Sequence, residues 1–377
     1  MGLPEGSVST GGFCRARKRL PLDMVSTLVQ ASGKLIAENV PESWLWKGRR
    51  VLLVDGTTAL MPDTPDNQAV YPQQSTQKAG LGFPICRILG VICLSSGAVL
   101  DASIGRYKGE GGDEQKLLRN VQQTFRMGDL ILGDAFFGTC FLLASLHERK
   151  IDAVFEQHGA RKRVTEFRKG RRIGTRDHLI VLSKPKVKPD WMSEKAYDEV
   201  PEEITIRELK AGKKTIITTM LTSAQAEKHE LKSLYKQRRH VELDLRNIKT
   251  TLGVEKLSCK TPEMNQKEIW VYFLVYNLIR IVMAQAAFLA EMLPRQLSFK
   301  HSLQLWNAWG QRVCGEMCPD NEYVLFELMA KKRVGNRPNR NEPRTVKQRP
   351  KALPLLMIPR RDAQAEIRKN GHPKKAK

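Results

Sequence analysis

"RRVLLVDGTT", residues 49–58, sets four aliphatic residues, Val51 to Val54, directly before Asp55 and Gly56. A short apolar run bounded by turn chemistry reads as a buried strand, so a strand is expected over 51–54 with Asp55 closing it. "GDLILGD", residues 128–134, repeats the arrangement and closes on Asp134. In α/β sheets, carboxylates at strand ends project into a shared crevice. Further strand patterns cover 88–95 and 99–104, joined by Ser96-Gly97 as a hairpin turn. Helical patterns follow in "GDEQKLLRNVQQTF" (112–125) and at about 138–149, before the strand "IDAVFEQ" (151–157). The alternation gives an α/β fold, a mixed sheet flanked by helices.

The rest of the chain divides around this core. Residues 1–48 form a short helical N-terminal region, too small for a core of its own, and 49–157 hold the first part of the core. Residues 158–222 change character, with many Lys and Arg among short alternating runs ("HLIVLS", "EITIREL", "KTIITTM"). They read as a basic, mostly β insertion. A helix then opens with Thr222 and Gln225 as a capping box and ends near Gly253. It belongs to a second core part, 223–330, completed by C-terminal helices. The tail, 331–377, has sixteen Lys and Arg against three Asp and Glu, with six prolines, and reads as extended.

Over 377 residues the formal net charge is +23, which points to a polyanionic partner. The seven cysteines are scattered, odd in number and mostly in apolar runs, so they read as reduced thiols in a cytoplasmic protein. Cys314 and Cys318 form a lone C-x3-C without a second pair, and no zinc site is assigned. The segment 269–291 is the most apolar, but Asn277, Arg280 and Gln285 interrupt it. It reads as a buried core helix and not as a membrane span. His147, His158, His178, His229 and His240 form no ligand-spaced pair on one helix and read as surface residues.

One stretch, "LYKQRRHVELDLRNIKTTLG" (234–253), is strongly basic yet holds Glu242 at its centre. On a regular helix of 3.6 residues per turn, Tyr235, Arg238, Glu242 and Lys249 fall within about 60° of one another. That stripe alone could be a solvated, salt-bridged face. Together with Asp55 and Asp134 it supplies a third carboxylate. Three converging carboxylates can hold two divalent ions about 3.5–4 Å apart, which suits phosphodiester chemistry. Oxygen donors of this kind favour magnesium or manganese over zinc. Asp63, Asp66, Asp129, Asp113 and Glu114 are competing carboxylates, but none combines a strand end with a partner of similar context.

Tyr235-x2-Arg238-x3-Glu242-x6-Lys249 resembles the Y-R-E-K signature of insertion-sequence-4-type DDE transposases. "DGTT" (55–58) and "GDLILGDAFF" (128–137) resemble the surroundings of that family's two catalytic aspartates, and "YNLIR" (276–280) and "NEPRTVKQRPKALPLL" (341–356) also resemble its members. The likeness covers about 45–360. Ala135 departs from it, since many relatives carry Arg after the second aspartate. The 48 residues before the first strand are few for the family's helical end-binding domain, which is expected to be reduced or absent.

The resemblance implies a ribonuclease H-like fold, with the β insertion lying between the second Asp and the Glu. It implies a DNA transposase that cleaves and transfers strands at element ends with two Mg2+ or Mn2+ ions. Asp55, Asp134 and Glu242 would be catalytic metal ligands, with Tyr235, Arg238 and Lys249 contacting DNA. Arg238, Arg239, Lys249 and the basic segment 158–188 would line one groove. The implied partners are double-stranded DNA, both terminal repeats and target, and a second copy in a homodimer on DNA. No membrane is involved, and the place is the bacterial cytoplasm near the nucleoid. Two alternatives stay open: a metal nuclease of the same fold, and an inactive DNA-binding remnant that inhibits intact transposase.

Overall fold

The computed structural model describes residues 10–78, 80–107, 109, 112–159, 165–312, 319–335 and 357–371. Cys314, Cys318 and the segment 341–356 therefore lie outside the described residues. One mixed sheet organises the chain, in the order β3-β2-β1-β4-β5-β9-β8-β7-β6. Strands β1 (Val51–Leu60), β2 (Ile85–Cys93) and β3 (Val99–Arg106) form an antiparallel meander. β4 (Leu130–Gly133) and β5 (Asp152–Glu156) add to β1 in parallel. This 3-2-1-4-5 arrangement, three antiparallel strands followed by two parallel ones, is the ribonuclease H-like topology.

The residues of the insertion do not form a separate sheet. β6 (Arg171–Gly174), β7 (Asp177–Ser183), β8 (Glu203–Ala211) and β9 (Lys214–Thr218) extend the core sheet, because β9 pairs antiparallel with β5. Within these added strands a buried ion pair ties β8 to β7: Arg207 on β8 donates to both oxygens of Asp177 at 2.8 and 2.6 Å, and also to the carbonyl of Ala226 at 2.7 Å. His178 is not a surface residue as expected; it is 1% exposed and pairs with Glu208 at 2.9 Å.

Helices cover both faces of the sheet. They are α1 (Thr10–Arg19), α2 (Leu22–Glu38), α3 (Pro65–Val70), α4 (Glu114–Arg119), α5 (Cys140–Glu148), α6 (Glu194–Glu199), α7 (Lys228–Lys236), α8 (Arg239–Arg246), α9 (Pro262–Leu289), α10 (Phe299–Arg312), α11 (Pro319–Lys331) and α12 (Arg360–Asn370). Central strands buried on both sides need apolar residues at every position, which is why "VLLV" does not alternate. Val51 and Leu53 pack with Val241, Leu245 and Ile248 on one face, while Leu52 and Val54 pack with Leu117 and Leu143 on the other.

α9 has the length and hydropathy of a membrane span. In the fold it packs against α2 and α11 and buries Ile269, Phe273, Ile279 and Met283. Its polar interruptions are used in that packing. The Asn277 amide donates to the carbonyls of Val29 and Val99 and accepts from the Val99 N–H, tying α2 to β3.

Two readings of secondary structure differ from what forms. β1 does not stop at Asp55 but runs to Leu60, with Asp55 opposite Gly90 of β2. Only its parallel pairing with β4 ends in this region, the last bonded pair being Leu53 with Leu132. The helix expected from Thr222 to Gly253 is also broken. Thr222 and Gln225 do bond reciprocally, at 3.0 and 3.3 Å, but α7 starts later, after Glu227. At 237–241 the backbone bonds tighten to three-residue steps (Arg238 N to Tyr235 O, 3.1 Å; Val241 N to Arg238 O, 3.0 Å). A wide π turn, Asn247–Thr251, then replaces the α-helix. Tyr235, Arg238–Glu242 and Lys249 thus sit on three successive pieces, and no regular 3.6-residue stripe joins them.

Candidate active site

Register brings the two aspartates together. Carried on two residues past Leu53–Leu132, the β1–β4 register sets Asp55 level with Asp134 on neighbouring strands. Strands are about 4.8 Å apart, and level residues of a sheet point to the same face. That face is the one α8 covers, since Leu53, Leu132 and Val241 share one core cluster. Asp134 lies just past the end of β4, where its Oδ1 accepts from the Phe136 N–H at 2.8 Å. The Asp55 Oδ1 accepts from the Gly56 N–H at 2.9 Å.

Arg238 links the third carboxylate to this pair. Its Nη2 donates to the Glu242 Oε1 at 2.6 Å and its Nη1 reaches the Asp55 Oδ2 at 3.4 Å. The Asp55 side chain is 17% exposed and that of Glu242 58%. Burial pushes the Asp55 carboxyl up to about 6; Arg238 and the Gly56 N–H oppose this, and the charges of Asp134 and Glu242 add to it.

Glu114 is a competing carboxylate that lies on no strand end. Asp113 does cap α4, its Oδ1 accepting from the Lys116 N–H at 2.7 Å. Glu114 instead packs beside Gly56, where a Cβ would come within 2.4 Å of its Oε1, and pairs with Arg87 at 3.6 Å. Its carboxyl is also raised, by burial first and then by Asp55 and Asp134 against the opposing Arg87. Glu114 is therefore a fourth carboxylate at the site. The only trace of it in the sequence is the glycine after Asp55. Two other competitors have structural roles: Asp63 accepts from the Gln68 amide at 2.8 Å, and Asp129 accepts two bonds from Arg50 at 2.8 and 2.7 Å.

Tyr235 is 6% exposed, and no hydrogen bond of normal geometry satisfies its hydroxyl among the described residues. Its neighbours are Arg238, Glu156 and Asp134, and burial drives its pKa upward. The hydroxyl is thus a buried group without a hydrogen-bonding partner of normal geometry among the described residues. Lys249 lies in the π turn, part-exposed. Arg239 does not join Arg238 at the carboxylates as expected; it lines a cleft on another flank of α8 with Arg295 and Trp46. His240, read as a surface residue, is mostly buried beside it, and burial and then Arg295 push its pKa down to about 4.

The donor set suits a hard divalent cation: carboxylate oxygens that raise one another's cost of ionisation, in a partly desolvated site. Among the described residues no three such side chains are gathered closely enough to hold an ion as they stand, and Glu242 is turned onto Arg238. Binding would require Glu242 to exchange that guanidinium for the metal.

A ribonuclease H-like sheet with paired strand-borne aspartates and a helix-borne glutamate defines a class of phosphoryl-transfer enzymes. Residues 46–278 match the family described as Transposase DDE domain, and the chain belongs to that family. Over 359 residues it is 25% identical to the transposase InsG for insertion sequence element IS4 of Escherichia coli, covering 92% of this chain and 78% of that protein. Among solved structures it is similar to the piggyBac transposase synaptic complex with hairpin DNA, at 10% identity and a TM-score of 0.42. That match covers 74% of this chain and 53% of the other, so the chain spans about half the length of that structure.

Proposed function

We propose that the chain is an insertion-sequence transposase that cuts and joins DNA at element ends, with Asp55, Asp134 and Glu242 as the ligands of two divalent ions. The reading rests on family membership and, within the fold, on one observation. The β1–β4 register sets two aspartates level, and Arg238 connects Asp55 to Glu242. Nothing in the structure favours the nuclease or remnant alternatives.

The roles of the residues follow from where each is held. Asp55 stands inside β1 and Asp134 just past the end of β4, held there by the Phe136 N–H, so the sheet anchors both before any ligand arrives. Glu242, more exposed and on a short helix, is the adjustable member. Bound divalent ions would supply an activated water or 3′-hydroxyl and stabilise the leaving oxygen of the phosphodiester. Arg238, released from Glu242, can present its planar fork to a DNA phosphate. The Tyr235 hydroxyl can donate to the same strand, and Lys249 can neutralise the next phosphate along the π turn. The chain's partners in this reading are terminal-repeat and target duplexes, bound by a homodimer.

Stability measurements test the metal site without requiring activity. Asp55 ionises near pH 3.8 when unfolded and near 6 when folded, so folding disfavours its carboxylate. That cost is absent below about pH 4 and complete above about pH 6. Without divalent ions, Asp55→Asn is expected to be more stable than the wild type at pH 8 by about 1–2 kcal/mol, and no more stable at pH 4. Adding Mg2+ at about 100 times its Kd should stabilise the wild type by about 2.7 kcal/mol. It should leave Asp55→Asn nearly unmoved. Equal Mg2+ shifts for the two proteins would remove Asp55 from the metal site.

A further inference from the structure

The basic residues expected to share one groove are divided between two flanks of α8. Arg238 and Glu242 face β1, whereas Arg239, Leu243 and Arg246, at i, i+4 and i+7, turn toward a separate trough. The trough consists of two adjoining clefts, of about 720 and 860 Å3, which share His240, Leu243, Arg295 and Arg333. Its opposite wall comes from the start of α10, with Lys300 and His301, and from the strand-like segment after α11. That segment is fastened in place: the Val334 N–H donates to the Gln296 carbonyl at 2.7 Å and the Ser298 N–H to the Lys332 carbonyl at 2.8 Å.

The charge in the trough is almost all of one sign. Among the described residues Asp244 is the one acidic side chain lining it, and it is 1% exposed and taken up by Arg280 and Arg295 at 2.6 and 2.5 Å. The Arg295 guanidinium also donates to the carbonyls of Leu94 and Cys93 at 2.7 and 3.0 Å, so it is held rigid at the floor. Arg239, Arg246, Lys300 and Arg333 are exposed and have no carboxylate partner among the described residues. The sequence after Gly335 brings Arg337, Arg340 and Arg344 against Glu342, so this chain's own tail would not neutralise the trough.

We infer that this trough is a second DNA track, which takes the sugar–phosphate backbone of the target duplex while the other flank of α8 holds the strand being cut. The inference rests on the transposase reading, in which an end must be joined to a second duplex. Its ligand chemistry is that of phosphate contacts by Arg and Lys, which position DNA without reading its sequence. One helix would then hold both DNAs in fixed relation, with Glu242 between them.

The test is the salt dependence of binding to a labelled 40-base-pair duplex of arbitrary sequence. It needs neither the element ends nor chemistry. The triple variant Arg246→Gln, Lys300→Gln, Arg333→Gln should lower the slope of log K against log salt by about 2.7, at about 0.9 per phosphate contact. Lys249→Gln, outside the lining of the trough, should leave the slope for this duplex unchanged, because one duplex seated in the trough does not reach the other track. All three trough positions are exposed, so the variant should keep the wild-type melting temperature; Arg246→Gln alone, with a drop of about 0.9, is the version to use if it does not. An unchanged slope in the triple variant, with Lys249→Gln lowering it instead, overturns the trough and leaves the proposed function standing. Additive lowering by the two changes would mean that one duplex crosses both surfaces as a single track, and would overturn the inference as well. If neither variant changes the slope, the trough holds no duplex and the inference fails.

Discussion

Glu242→Gln should cut DNA at least about 100-fold more slowly than the wild type while binding it as tightly or more so, because metal ligation contributes several kcal/mol to transition-state stabilisation. The substitution keeps the volume and removes the charge. Glu242 is 58% exposed and bonded to Arg238 on its own helical segment, so losing the charge should cost little stability. It also frees Arg238 for phosphate, which is why affinity is not expected to fall. Single-turnover nicking of element-end DNA in Mg2+, with binding followed in parallel, separates the two effects. A joint loss of binding and nicking would mean that Glu242 organises the helix and is not a ligand.

The second large effect lies two residues away. Asp244 accepts from the Tyr276 hydroxyl at 3.0 Å, from Arg280 at 2.6 Å and from Arg295 at 2.5 Å, with 1% of its own surface exposed. Asp244→Asn leaves two guanidinium groups, one fully buried and one nearly so, facing a neutral amide. Breaking a buried ion network by removing one partner costs about 3–5 kcal/mol. Denaturant unfolding should show a loss of that size, against less than about 0.5 kcal/mol for Arg246→Gln on the exposed flank of the same helix. A loss under about 1 kcal/mol would show that apolar packing by Val241, Leu245 and Ile248 holds α8 without help from the network.

The α/β class, the strands bearing Asp55 and Asp134, and the β insertion were legible because their signals are local: short apolar runs ending in turn residues or carboxylates. What the sequence hid was phase. Helical periodicity treats 222–253 as one rod, but the tight steps at 237–241 and the π turn at 247–251 change the rotation per residue on either side of Glu242. The fixed spacing from Tyr235 to Lys249 survives as a family signature although no uniform helix carries it. Arg239 was misplaced for a related reason. It is one residue, about 100°, from Arg238 on the wheel, and that rotation takes it across the helix to another flank. Gly56 read as a turn because glycine most often marks one; here it sits inside β1, where the Glu114 carboxylate occupies the space a side chain would need. That contact spans 58 positions of sequence, beyond the reach of any local pattern.

Anomalous diffraction from crystals of the protein with Mn2+, bound to a duplex bearing an element end, tests the central claim most directly. Manganese peaks are expected between the carboxylates of Asp55, Asp134 and Glu242, with Glu242 turned away from Arg238. Peaks held by Asp55, Asp134 and Glu114 without Glu242, or no peak between β1 and β4, would contradict it.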